Sequence, residues 1–129
     1  MAYRSTNKTV YSAKYHLIWC PKCRVLVGQI ETRLVEIIGH FCAEHSAEVI
    51  EVETMPDHVH LLAEVPPSVP MSKFIGTLKG RSSRVLRQEF PHSRRLPSLW
   101  TPSWFMSTVG GAPLEVVRRY VVDHRKLAA

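Results

Sequence analysis

His58 and His60, one residue apart in Met55-Pro56-Asp57-His58-Val59-His60-Leu61-Leu62, are the residues whose type and spacing could do chemistry. Alternate side chains of a strand point to one face with Cα atoms roughly 6.6 Å apart, so two such imidazoles can reach one metal ion. Two histidines leave coordination positions open, which a structural site fills with further ligands and a catalytic one keeps for water or substrate. Without a metal, the same spacing describes two hydrogen-bonded strand histidines. The alternate positions Val59, Leu61, Ala63 and Val65 are all apolar. One face of this strand is therefore expected against helices, and the imidazoles on the face the core does not need.

Tyr120 and His124 form a second candidate, because residues four apart lie one above the other on a helix. Beside Val116, Val117 and Val121, Tyr120 alone reads as core. A tyrosine hydroxyl becomes a nucleophile when a base or metal activates it, and an ion on His58 and His60 could polarise a phosphate for its attack. Cys20-Pro21-Lys22-Cys23 has redox-pair spacing, but that chemistry wants a helix N-terminus, and Arg24-Val25-Leu26-Val27-Gly28 reads as strand or loop. A zinc ribbon needs a second pair, and only Cys42 remains, so ordinary thiols are expected. His58, His60 and Glu64 match a cupin spacing, yet an all-β barrel cannot accommodate this chain's helical periods. Trp100, Trp104 and Phe105 could stack on bases, but in and beside a strand they read better as core.

The elements that must position these residues follow from periodicity. Residues 1–10 read as a loose polar arm, and Tyr11 to Cys20 as a strand stopped by Pro21. Leu34, Ile37, Ile38, Phe41, Cys42 and His45 recur at helical spacing from Ile30 to about Ser46. Glu48 to Met55 alternates, with Ile50 and Val52 on one face and Glu51 and Glu53 on the other. Pro56-Asp57 turns the chain into the histidine strand, which runs to about Val65. Met71, Phe74, Ile75, Leu78, Val85 and Leu86 stripe a second helix that ends at Pro91. Gly76 and Gly80 each weaken it by about 1 kcal/mol relative to Ala, a cost that points to close packing or close approach of a ligand. Trp104 to Val109 is a last strand, broken by Gly110-Gly111. A final helix opens at Pro113, with Glu115 in its first turn and Arg125 and Lys126 in its last. This order predicts an α+β, ferredoxin-like β-α-β-β-α-β antiparallel sheet with an extra C-terminal helix, a single domain over residues 1–129.

Composition bounds the rest. At 45% hydrophobic and 22% charged residues, the 129-residue chain reads as an ordinary globular protein. It has no stretch of eighteen apolar residues and no basic-then-apolar leader, so no membrane association is expected. Three cysteines argue against a disulfide framework and for the cytoplasm. The formal charge is +6, and residues 73–95 carry all of the excess: Lys73, Lys79, Arg81, Arg84, Arg87, Arg94 and Arg95 stand against Glu89. That is the footprint of a polyanion, or else a solvated basic face.

Five blocks in one order then carry a resemblance: Tyr15 to Lys22, Met55 to Leu62, Leu78-Lys79-Gly80-Arg81-Ser82-Ser83, Ser107-Thr108-Val109-Gly110, and Tyr120. From about Tyr11 to His124 the chain resembles the single-tyrosine HUH transposases of small insertion sequences, which move as single-stranded DNA. The resemblance implies that His58 and His60 bind a divalent ion, Mg²⁺ or Mn²⁺, and that Tyr120 forms a 5′-phosphotyrosine link. It implies a homodimer whose sites are shared between subunits, and recognition of DNA hairpins. Lys73, Lys79, Arg81, Arg84 and Arg87 fit the hairpin backbone. Where the family commonly has a glutamine as third ligand, this chain has His124, a softer donor better suited to transition metals. A relative that only nicks or binds hairpins is the alternative, and a thiol-redox protein a further, unrelated one.

Overall fold

The computed structural model describes residues 4–5, 10–11, 13–95 and 98–108. Alternating strands and striped helices can bury their apolar faces together if both helices lie on one side of one sheet, and they do. A two-stranded ribbon, β1 (Arg4–Ser5) with β2 (Val10–Tyr11), precedes β3 (Lys14–Trp19), α1 (Gly28–Glu44), β4 (Glu48–Met55), β5 (His58–Glu64), α2 (Met71–Glu89), a 3-10 turn (Pro91–Arg95) and β6 (Phe105–Thr108). The four-stranded sheet has the order β4-β5-β3-β6 with every neighbouring pair antiparallel. This is the expected ferredoxin-like arrangement.

The core lies where the patterns place it. Val59, Leu61, Ala63 and Val65 are fully buried, opposite Trp19, Leu17 and Tyr15 of β3. Against them α1 sets Ile30, Leu34, Ile37, Ile38, Phe41 and Cys42, and α2 sets Phe74, Ile75, Leu78 and Leu86. Burying one such side chain contributes about 1.5–3 kcal/mol, so this layer outweighs any surface interaction. Arg33 of α1 grips Glu89 at the end of α2 with two bonds of 2.8 and 3.0 Å. The one acid of the basic segment is thereby engaged. The left-handed Ser46 (φ 57°) ends α1, and the Ser46 and Ala47 amides return to the carbonyls of Ala43 and Cys42.

Four details differ from expectation. Part of the N-terminal arm forms the small ribbon, and the first strand is split between β2 and β3. In β4, Val49 pairs with Ala63 and Glu51 with Leu62, so Ile50 is an extra, bulged residue. Val49 and Val52 consequently face the core, while Ile50 is exposed. A Cβ built on Gly76 or Gly80 would meet no atom within 4 Å, so close packing does not require either glycine. The second sheet face is not bare either, because Ile18 and Glu64 are buried there. Trp100 is core as expected, and Trp104 packs against the core from a half-buried position. Val109 and the expected final helix, with Gly110, Gly111, Pro113, Glu115, Arg125 and Lys126, lie outside the described residues.

Candidate active site

β5 holds His58 and His60 half-buried on one face, because Val59 and Leu61 between and after them are fixed in the core. His58 follows directly on the turn that ends at Asp57, and its Nδ1 donates to Asp57 Oδ1 at 3.0 Å. The Asp57 carboxylate is buried, with Arg24 3.7 Å from its other oxygen. A carboxylate accepts only, so this contact puts the neutral ring's proton on Nδ1 and leaves the Nε2 lone pair for a ligand. His60 Nε2 lies 2.9 Å from Nδ1 of His16 on β3, with the two rings stacked at 5.1 Å. Burial, helped by His16 and His58, pushes the His60 pKa down, and Glu51 and Glu53 only partly offset this. A neutral imidazole is the form that binds a metal. Among the described residues, no three His, Cys, Asp or Glu side chains converge to hold an ion. Tyr120 and His124 lie outside those residues.

The basic segment divides into two groups. The Lys79 ammonium donates to the carbonyls of Thr101, Pro102 and Ser103 at 2.7, 3.3 and 3.1 Å. Burial lowers its pKa. Ser82, fully buried, accepts from Trp100 Nε1 at 3.0 Å, and Ser83 Oγ accepts from the Leu99 amide at 3.3 Å. Three side chains of Lys79-Gly80-Arg81-Ser82-Ser83 thus clasp the segment 99–103. Arg81 bonds Glu44 at 2.6 Å, holding that carboxyl below its usual range, and lies over the Phe41 ring. Lys73 and Arg84 are exposed, and Arg84 and Arg87 line a cleft of about 700 Å³ with Lys22, Lys79 and Trp100. This cleft, between α2 and the clasped segment, is on the helical side of the sheet, away from the imidazoles. Cys20 is buried, Cys23 exposed, and neither is in a disulfide. Among the described residues no helix begins before Gly28, five residues after Cys23, so neither thiol stands at the helix N-terminus a redox pair needs.

The family model for IS200-like transposases matches residues 9–124. The chain belongs to the IS200-like transposase family. It is 38% identical over 117 residues to the ISDra2 transposase TnpA of Deinococcus radiodurans, covering 87% of this chain and 84% of that one. A crystal structure described as a transposase from Deinococcus radiodurans R1 superposes with a TM-score of 0.83 at 29% identity, covering 94% of this chain and 97% of that one. A REP-associated tyrosine transposase bound to a REP hairpin shares the fold, with a TM-score of 0.52 at 15% identity over 94% and 68% of the chains.

Two residues of the candidate site escape a reading by spacing alone. Asp57 reads as a turn residue, although its place directly before His58 is a local signal for a carboxylate partner. His16 is 44 residues from His60, and only the β3–β5 register brings them together. Lys79 lines the cleft with Arg84 and Arg87 but directs its ammonium to the segment 101–103, and Arg81 is paired with Glu44. No helix among the described residues is long and apolar enough to cross a membrane.

Proposed function

We propose that this transposase cuts and rejoins single-stranded DNA beside hairpins through a 5′-phosphotyrosine intermediate, with a divalent ion on His58 and His60. The observation that carries the reading is the Asp57–His58 pair beside His60 on one strand face, a ligand histidine oriented by a buried carboxylate. The donor set suits a metal: His58 has Nε2 available, and burial pushes the His60 pKa down, which favours the neutral ring. His124 would be the third ligand. Three nitrogen donors make Mn²⁺ more effective than Mg²⁺ at equal concentration. When bound, the ion would polarise the scissile phosphate. The Tyr120 oxygen attacks phosphorus as its proton leaves, and the bond to the 3′-oxygen breaks. That oxygen takes a proton and becomes a free 3′-hydroxyl. Rejoining reverses the step with a different 3′-hydroxyl and needs no nucleotide triphosphate, because the phosphotyrosine conserves the bond.

Hairpin recognition belongs to the helical side. The REP-associated neighbour is bound to a hairpin, and we carry that ligand class to this chain through the cleft beside α2. Arg84, Arg87 and Lys22 face phosphates there, exposed Lys73 lies outside that cleft nearer the start of α2, Arg81 stiffens α2 from its ion pair with Glu44, and Lys79 shapes the cleft wall. A homodimer with shared sites completes the reading. Cleavage of a labelled hairpin-bearing single strand in metal-stripped buffer, with each ion titrated back, tests it. His58→Ala should bind the hairpin and not cut it. Metal-independent cutting by that variant would sink the metal role, and hairpin binding without cutting by the wild type would favour a binding relative.

A further inference from the structure

His16 is a half-buried imidazole that the proposed chemistry does not use, yet its ring contacts a ligand histidine. On β3 it pairs with Leu62, while His60 pairs with Ile18, so the two histidines are diagonal neighbours on one sheet face. Their planes are 19° apart and the His16 Nδ1 to His60 Nε2 distance is 2.9 Å. Between two neutral imidazoles this contact is a hydrogen bond in which one nitrogen carries the proton and the other a lone pair. If His16 donated, the His60 lone pair would be taken up at Nε2, its proton would sit on Nδ1, and the ring could hold no ion. If His60 donates, its Nδ1 keeps a lone pair.

We propose that His16 is the positioning residue of His60, accepting its Nε2–H so that the ion meets Nδ1 of His60 and Nε2 of His58. This rests on the reading of His58 and His60 as ligands. His16 then does for His60 what Asp57 does for His58: each ring has one nitrogen fixed by a neighbour and the other presented. The two ligand nitrogens differ in kind because the two partners approach from different places, Asp57 from the preceding turn and His16 from the neighbouring strand.

The test is Zn²⁺ binding to the full chain, by calorimetry and by ¹⁵N NMR of the histidine rings. In the wild type, Zn²⁺ should shift Nε2 of His58 and Nδ1 of His60, leaving His60 Nε2 protonated and His16 Nδ1 unligated. His16→Phe should weaken Zn²⁺ binding about 10- to 100-fold, the usual cost of losing an outer partner. His16→Asn, which keeps an acceptor near the Nδ1 position, should restore most of the affinity. The NMR arm needs no substitution, so a poorly folded variant does not decide the matter. Zn²⁺ on Nε2 of His60, a directly ligated His16, or a His16→Phe protein that binds as well as wild type or better would overturn the positioning role. A wild type that binds no ion, or a His58→Ala protein that binds as tightly as wild type, would overturn the ligand reading and this inference with it.

Discussion

Replacing Lys79 by Met keeps most of the side-chain volume and removes the ammonium that holds Thr101, Pro102 and Ser103. A hydrogen bond to a charged group contributes about 1.5–3 kcal/mol. Three bonds sharing one ammonium do not add, the 3.3 Å contact is longer than a good N–H···O bond, and burying the charge offsets part of the gain. Lys79→Met should therefore destabilise the fold by about 2–3 kcal/mol, the carbonyls losing their donor. In a chain of this length that lowers the melting temperature by roughly 10 °C. Arg84→Glu is the contrast: an exposed change expected to stay within about 0.5 kcal/mol of wild type. It should weaken hairpin binding and flatten its salt dependence, because a phosphate contact is lost. Urea unfolding read by circular dichroism, beside hairpin titrations at several salt concentrations, separates the two. A Lys79→Met protein as stable as wild type with a flattened salt slope would mean that its ammonium serves DNA, not the clasp.

Gly76→Ala, at an exposed helix position with open space around its Cβ, should stabilise the protein by about 0.5–1 kcal/mol in the same unfolding assay. Of the three cysteines, only exposed Cys23 should react quickly with a thiol reagent in the folded protein near pH 8, and all three after denaturation. Burial pushes the Cys42 thiol up to about 11 from 9.0. The unfolded chain therefore ionises first, and Cys42's contribution, full below pH 9.0, is lost as pH rises toward about 11. Mixing His60→Ala with Tyr120→Phe protein should restore some cleavage once a tagged-subunit pull-down shows that subunits exchange. Exchanged but inactive mixtures would place both halves of a site in one subunit.

What was legible in the sequence followed from local periodicity. Val59, Leu61, Ala63 and Val65 fix the buried face of β5 and so put His58 and His60 opposite it, whatever the rest of the fold does. The stripes of α1 and α2 are equally local. Ile50 was misplaced because a bulge changes which face a residue takes, and the partner strand decides where the bulge falls. Lys79 was read by charge alone, yet tertiary context turned its ammonium toward three backbone carbonyls. The His16–His60 contact depends on a register that no local pattern encodes. Tyr120 and His124 lie outside the described residues, so their roles stand on motif order and helical spacing.

The phosphotyrosine link is the central claim, and capture of the adduct tests it most directly. A single-stranded oligonucleotide carrying an imperfect hairpin taken from the DNA on either side of this protein's gene, labelled at its 3′ end, is incubated with protein and Mn²⁺ and then denatured. The account predicts that the label stays on the protein, that peptide mass spectrometry places it on Tyr120, and that the released fragment ends in a 3′-hydroxyl. It also predicts that Tyr120→Phe forms no adduct. Cutting without an adduct, or an adduct that survives in Tyr120→Phe, would contradict it.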